Sequence, residues 1–166
     1  SLYAGIMIDT NNFVNRTGVR TFEAAAFLRR CGADITLVRK MFRDDMESYR
    51  AKAEIISSAE VYLEKFAIAR GENLHIESPT IIGAQAANEL LDINEVKASF
   101  VLTEYNGKIY ISARSIDEVN VQIIMERLGG GGHMNASGAQ FNHTDMEEAV
   151  ASLKQVINDM TEGGDI

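Results

Sequence analysis

The chain has 166 residues, of which 46% are apolar and 24% charged, so it can bury one core of ordinary size or two small ones. Its net charge of −8 disfavours broad, sequence-independent binding to long nucleic acids, although a small nucleotide at one focused site is compatible with it. No apolar run approaches the roughly 18 residues that span a bilayer, and the single Cys31 excludes an internal disulfide.

The first predicted element is a strand over residues 5–9 that ends in a carboxylate. A short, continuous apolar run suits a strand buried on both faces. In open α/β sheets, functional groups gather beyond the carboxyl ends of the strands, and Asp9 stands at such an end. An aspartate that merely turns or caps the chain there is equally consistent with the sequence.

Three helices are predicted next. Thr21 is a suitable N-cap for a helix that reaches Cys31, and Gly32 suits the position after its end. Asp34 begins the second helix, and the third covers residues 45–59. The side chains expected to face inward are Ile35, Val38, Met41 and Phe42 on the second helix and Met46, Tyr49, Ala53 and Ile56 on the third.

The third helix is predicted to connect two domains, residues 1–58 and residues 59–166. The second domain is predicted to be α/β, with a mixed sheet flanked by helices. It begins with a strand over residues 66–69, with residues 61–63 paired or extended before it. A helix capped by Ser78 or Thr80 then reaches about residue 91.

A β-hairpin is the clearest local signal of the second domain. Residues 98–104 and 108–114 flank Asn106-Gly107, the dipeptide that type I′ turns prefer because both central residues need φ > 0. A strand over residues 138–141 and a final helix over residues 145–160 complete the domain. The apolar stripe predicted for that helix consists of Met146, Ala149, Val150, Leu153, Val156, Ile157 and Met160. A capping box at Thr144 is predicted to open that helix.

The glycine run from Gly129 to Gly132 is the most informative stretch for function. It follows a short helix that Asn120 caps, and Gly129 is suited to the C′ position of that helix. Successive glycine amides can turn toward one point and form an anion-binding nest, with His133 as a further donor at its rim. A flexible linker and a purely structural turn are the alternatives.

The hairpin delivers two more candidates, Arg114 and Ser115, at the end of a strand. Arginine binds phosphate through a bidentate fork, and a serine hydroxyl can add one hydrogen bond to the same group. An arginine at a strand end is often only a solvated surface residue. The glycine run that follows after one helix favours the phosphate-binding interpretation.

These motifs together resemble a known family. The succession Ser112-Ala113-Arg114-Ser115, Asn120-Val121, Gly129 to His133 and Ala136 resembles the DHH-associated domain of the DHH phosphoesterase superfamily. The stretch from Asn120 to Leu128 that runs into four glycines is similar to the C-terminal part of GdpP-type cyclic-di-AMP phosphodiesterases. The N-terminal Ile8-Asp9-Thr10 segment resembles the last metal-binding motif of the superfamily.

The resemblance implies that Asp9 is a catalytic manganese ligand in a site for two Mn²⁺ ions. The Asp-His-His triplet and the earlier metal motifs of the superfamily are absent from this sequence. We therefore expect residues 1–58 to be the C-terminal portion of a DHH catalytic domain within a longer protein, and this chain alone not to hydrolyse its substrate. The longer protein is expected to be bacterial and membrane-anchored, with this part in the cytoplasm and without direct membrane contact.

The activity implied by the resemblance is hydrolysis of cyclic di-AMP to the linear dinucleotide pApA. This chain would hold a cyclic or short linear dinucleotide, and a homodimer is also considered. Two alternatives stay open: an oligoribonuclease or adenosine bisphosphate phosphatase of the same superfamily, and a non-catalytic nucleotide-binding or dimerisation module. The residues implied in substrate binding are Arg114, Ser115, Asn120, Gly129, Gly130, Gly131, Gly132 and His133, with Arg16 and Arg20 as further nearby cations.

Overall fold

The computed structural model describes residues 2–14 and 17–166. The chain divides into two compact units, residues 1–45 and residues 46–166. The first unit contains helices α1 (Leu2–Asp9), α2 (Val19–Arg30) and α3 (Ile35–Met41). Its buried apolar side chains, among the described residues, are Tyr3, Ala4, Ala25 and Val38.

The predicted strand over residues 5–9 is wrong, because these residues belong to helix α1. A strand needs a neighbouring strand for its backbone groups, and the described part of the first unit contains none. The segment instead satisfies these groups locally: the Thr10 amide donates to the Ile6 carbonyl at 3.0 Å, and the Thr10 hydroxyl donates to the same oxygen at 2.6 Å.

Helix α2 begins three residues earlier than the predicted cap at Thr21. Gly18 is the N-cap residue of α2, and the Thr21 hydroxyl accepts a hydrogen bond from the Gly18 amide at 3.3 Å. The end of α2 is as predicted, since Gly32 follows it with a φ of +94°. Asp34 caps α3 as predicted, and its side chain accepts from the Leu37 amide at 3.1 Å.

Most of the inward-facing side chains predicted for α3 are exposed. Val38 is buried, but the exposed apolar side chains include Ile35, Met41 and Phe42. The expected set was too large because seven residues make only two turns of helix, which bury one narrow stripe.

The second unit is built on a six-stranded mixed sheet. Its strands are β1 (Glu60–Tyr62), β2 (Phe66–Gly71), β3 (Ala98–Tyr105), β4 (Lys108–Ser115), β5 (Gly131–His133) and β6 (Ala136–Asn142), and their order in the sheet is β1-β2-β3-β4-β6-β5. Strands β2 and β3 are parallel, and the other neighbours are antiparallel. The predicted α/β class with a mixed sheet is confirmed.

Four helices cover the two faces of this sheet: α4 (Met46–Ser57), α5 (Pro79–Leu90), α6 (Val121–Arg127) and α7 (Met146–Gly163). One face, here called the α5 face, packs Ala67 and Val101 against α4 and α5. The other, here called the α7 face, packs Phe100 and Ile111 against α6 and α7. The predicted apolar stripe of α7 is confirmed by burial of Met146, Ala149, Val150, Leu153, Ile157 and Met160.

Helix α4 buries a different stripe from the predicted one. Ala51 and Ile55 are buried, whereas Met46 and Tyr49 are 63% and 60% exposed. Helix α4 lies in the second compact unit, so this unit begins at residue 46, before the predicted domain start at residue 59.

Local signals fixed the turns and most helix ends of the second unit. Asn106 and Gly107 have φ values of +53° and +69°, as the predicted type I′ hairpin turn requires. Ser78 is the N-cap of α5 but makes no capping side-chain hydrogen bond. The N-cap of α7 is Asp145 and not Thr144, since the Asp145 carboxylate accepts from the Glu148 amide at 2.8 Å.

None of the helices in the described ranges is long and apolar enough to cross a membrane.

Candidate functional site

The candidate site lies on the α5 face of strands β4, β6 and β5, at the edge of the sheet. The strand register places Arg114, Ala136 and His133 in one row across the three strands. Arg114 is also paired with Ser99, whose hydroxyl donates to the Ala87 carbonyl of α5 at 2.6 Å, so the row faces α5. Two strand spacings separate Arg114 from His133, which is about 10 Å between their backbones.

The surface between these two long side chains is made of small residues. Ala136 separates them in their own row, and the next row consists of Ser112, Gly138 and Gly131. We call these four residues the site floor. A flat or bulky ligand group can approach the sheet closely there, because little side chain stands above the backbone.

Arg114 is half-buried, and its charge has no carboxylate partner among residues 2–14 and 17–166. Its Nη1 atom donates to the Ala113 carbonyl at 2.9 Å. Burial lowers the pKa of the guanidinium from its ordinary value, because the charged form loses hydration. The side chain is nevertheless charged at neutral pH. A desolvated, unpaired cation of this kind favours binding of an anion.

The glycine run does not form the open nest of four amides that the sequence indicated. Gly129 is the C′ residue of α6 as predicted, with a φ of +78°. Its amide donates to the Glu126 carbonyl at 3.0 Å, and the Gly130 amide donates to the Met125 carbonyl at 2.8 Å. These two amides complete the helix end and are not open to an anion.

The other glycines belong to the short edge strand β5. The Ser115 amide donates to the Asn135 carbonyl, so these two residues are a hydrogen-bonded pair at the end of the ladder between β4 and β6. Hydrogen-bonded pairs alternate along each strand, so the backbone groups of Gly131 and His133 point to β6. The backbone amide of Gly132 points to the open edge of the sheet. One glycine amide beside His133 thus takes the place of the predicted nest.

Two glycines of the run are required by the protein itself, and one is not. A Cβ atom on Gly130 would lie 2.1 Å from the Gly138 carbonyl oxygen, and Gly132 combines a φ of +146° with a 2.5 Å approach to the Ser137 Cα atom. A Cβ atom on Gly131 would meet nothing within 4 Å. Gly131 therefore leaves open space above the site floor.

Ser115 and Asn120, which the sequence placed with Arg114, have other partners in the structure. Ser115 follows Arg114 in a strand, so its side chain points to the opposite, α7 face. Its buried hydroxyl donates to the Val119 carbonyl at 2.6 Å. The Asn120 side chain caps α6 by accepting from the Gln122 amide at 3.1 Å. Direct contact of either residue with a ligand stays a prediction.

Asp9 is the last residue of helix α1 and is exposed, so its predicted place at a strand end is wrong. The described residues include no group of three or more His, Cys, Asp or Glu side chains that could hold a metal ion. The donor set of residues 2–14 and 17–166 therefore does not fit a two-manganese site by itself. Arg20 is exposed in α2, and Arg16 lies outside the described residues.

Three residues of the site region had no functional signal in the sequence interpretation. Gly138 completes the site floor, and its position opposite Ser112 follows from extending the hairpin register by one strand. Asp117 and Asn135 form a side-chain hydrogen bond of 2.5 Å beside the turn that follows His133. No spacing rule in the sequence predicts the contact between Asp117 and Asn135, because one lies in the loop between β4 and α6 and the other in the turn between β5 and β6.

Comparison with known proteins identifies the family of the chain. A model of the DHHA1 domain matches residues 65–159. The cyclic-di-AMP phosphodiesterases GdpP of Geobacillus thermodenitrificans and PdeA of Listeria monocytogenes are 44% and 42% identical over 165 and 159 residues. These matches cover 99% and 95% of this chain but 25% and 24% of the relatives. The chain thus spans about a quarter of their length.

A solved structure has the same fold. It is an exopolyphosphatase-related protein from Bacteroides fragilis, with a TM-score of 0.84 and 25% sequence identity. The similarity covers 93% of this chain and 48% of that protein.

Proposed function

Because the chain belongs to the DHHA1 domain family, we propose that it is the dinucleotide-binding part of a phosphodiesterase that hydrolyses cyclic di-AMP to pApA. The names of the two relatives reported above support this substrate. The observation that carries the proposal is the half-buried Arg114 guanidinium, which lies in one row with His133 and has no carboxylate partner in the described part of the chain.

Arg114 binds one phosphate of the dinucleotide through its guanidinium fork. His133 donates to the same phosphate or its neighbour from the other side of the site floor, and the outward Gly132 amide adds a donor at the sheet edge. The phosphate supplies the charge that Arg114 lacks in the free protein. The nucleoside attached to this phosphate lies over the site floor, where Gly131 and Gly138 allow close approach.

This chain's share of the work is binding and orientation. Two manganese ions in the longer protein would supply an activated hydroxide and stabilise the leaving oxygen. Asp9 is proposed as one of their ligands on the resemblance alone. The longer protein is proposed to be membrane-anchored with this part in the cytoplasm, again on the resemblance, and a homodimer is a further proposal.

The test is a calorimetric titration of the chain with pApA and with cyclic di-AMP. Arg114→Ala should weaken binding by about 1.5–3 kcal/mol, because it removes a charge-assisted hydrogen bond to phosphate. Arg127→Ala is the matched control, since Arg127 is half-exposed and forms an ion pair with Asp165 at 2.9 Å. Equal affinity of the Arg114→Ala variant and the unaltered chain would remove Arg114 from the site.

The same titration separates the alternative functions. Tighter binding of adenosine bisphosphate or of longer oligoribonucleotides than of pApA would favour the phosphatase or oligoribonuclease alternative. Absence of binding to every nucleotide would favour a dimerisation module, and analytical ultracentrifugation would then show a dimer.

A further inference from the structure

The turn that joins β5 to β6 is fastened to the rest of the sheet through both of its carbonyl groups. The turn consists of Met134 and Asn135. The Met134 carbonyl accepts from the Val121 amide at the start of α6 at 2.9 Å. The Asn135 carbonyl accepts from the Ser115 amide at the end of β4 at 3.1 Å. The turn is therefore bound to two elements outside its own hairpin.

Three side chains reinforce these backbone bonds. The Asn135 amide group donates to the Asp117 carboxylate at 2.5 Å. The Ser115 hydroxyl, which donates to Val119, also lies 3.4 Å from the Met134 carbonyl and 3.5 Å from the Asn135 side-chain oxygen. We call Ser115, Asp117 and Asn135 the tip clamp.

Asp117 has a φ of +56°, an uncommon conformation that aspartate and asparagine tolerate better than most residues. It lies in the loop between β4 and α6, whose other end is held by the bond from Ser115 to Val119. The loop conformation and the side-chain bond to Asn135 thus depend on each other.

The tip clamp stands directly next to the two proposed ligand-binding side chains without sharing their face. Ser115 follows Arg114 in β4, and the turn follows His133 in β5. Strand β5 has only three residues, two of them glycine, and pairs with β6 alone, so the position of His133 depends on that ladder and on the turn that follows it. The hydroxyl of Ser115 points to the α7 face and is already bonded there.

We propose that the tip clamp is a positioning device that fixes His133 relative to Arg114 and so sets the affinity for a dinucleotide phosphate. This inference rests on the proposed function, and it assigns Asp117 and Asn135 a role in binding although neither needs to contact the ligand. Ser115 then acts through the turn.

The experiment exchanges the two side chains of the clamp and measures pApA affinity by calorimetry. Asn135→Asp places two carboxylates against each other and should weaken binding by about tenfold, through loss of a hydrogen bond to a charged group. Adding Asp117→Asn restores an amide–carboxylate pair with the roles reversed, and asparagine suits the positive φ. The double variant should bind within about twofold of the unaltered chain.

A second arm distinguishes positioning from a general structural role. In a His133→Ala background, Asn135→Asp should have no further effect on pApA affinity, because the residue that the clamp positions is gone. Thermal unfolding of each variant reports stability separately from binding, and the chemical shifts of the Gly132 amide report the position of β5.

The outcomes separate the two proposals. Lack of pApA binding by the unaltered chain would overturn the proposed function. Binding by the unaltered chain would overturn the clamp alone under any of three results: unchanged affinity of Asn135→Asp, no recovery in the double variant, or an equal loss in the His133→Ala background.

Discussion

Arg114 carries its charge in a half-buried position where no carboxylate of the described chain pairs with it. Such a charge costs folding free energy, because desolvation is not repaid by an ion pair. The lowered pKa has the same meaning: the charged form is the disfavoured one in the folded state. The cost that this charge adds to folding is therefore relieved only as pH rises through the lowered pKa of Arg114.

We predict that Arg114→Met leaves the free energy of unfolding unchanged or raises it by up to about 1 kcal/mol, while nucleotide affinity falls. Methionine keeps much of the apolar stem and removes the uncompensated charge. Urea denaturation measures the free energy of unfolding. The difference in this free energy between Arg114→Met and the unaltered chain should not vary between about pH 6 and 8, because arginine does not titrate there. Arg70→Met is the control, because Arg70 is ion-paired with Glu147 and should not affect affinity. A clear loss of stability in Arg114→Met would contradict the claim that the Arg114 charge is uncompensated in the free protein.

At the scale of elements, the glycine run from Gly129 to Gly132 forms the end of α6 and the beginning of the edge strand β5. The structural requirement for glycine differs from one position of the run to the next. Gly130 and Gly132 allow β5 to lie against β6, whereas Gly131 borders open space on the face that carries Arg114 and His133. Packing within the protein therefore does not require glycine at Gly131.

Gly130→Ala should lower the free energy of unfolding by about 1–3 kcal/mol, because its methyl group would collide with the Gly138 carbonyl. Gly131→Ala should leave stability within about 0.5 kcal/mol of the unaltered chain. It should weaken pApA binding, since its methyl group stands on the site floor. Denaturation and calorimetry on both variants test this pair. Tight pApA binding by Gly131→Ala would show that the ligand does not reach the floor.

An element was predicted correctly where the interactions that determine it lie within a few residues of the sequence. The Asn106-Gly107 turn and the α7 stripe were predictable, because turn chemistry and helical periodicity act within a few residues. The strand predicted over residues 5–9 failed, since a strand depends on partners that a single segment does not reveal.

Two features of the site follow from the sequence. Arg114 and Ser115 are adjacent in a strand, so the alternation of side chains already directs them to opposite faces of the sheet. The assignment of Gly129 as a helix C′ residue likewise implied that the first glycine amides bond to the helix. The row of Arg114, Ala136 and His133 needed the register of two hairpins, which includes a turn with no strong sequence signal.

At the scale of the whole molecule, the two compact units differ greatly in their cores. In the described part of the first unit, four apolar side chains are buried, and large ones such as Phe22 and Phe27 are 54% and 58% exposed. The second unit encloses two clusters on the faces of its sheet, with Phe66, Phe100, Leu102 and Leu153 fully buried in one of them.

We predict that amide hydrogens of α1, α2 and α3 exchange with solvent well before those of β2, β3 and β4, because local stability follows buried apolar contact. Hydrogen exchange followed by mass spectrometry distinguishes the units by their peptides. A chain of residues 46–166 should keep the slow exchange of the sheet. Equal protection of both units would show that they unfold together.

Helix α7 reaches back to the first strand of its unit. The Tyr62 hydroxyl donates to the Asn158 side chain at 2.7 Å across 96 positions, and Lys154 pairs with Glu60 at 2.8 Å. During synthesis, β1 to β6 emerge before the segment that closes one side of their core, so a ribosome-bound chain exposes the apolar strands until α7 is available. A premature stop codon within α7 would therefore yield an aggregation-prone product, even though Arg114, Ala136 and His133 had already been translated.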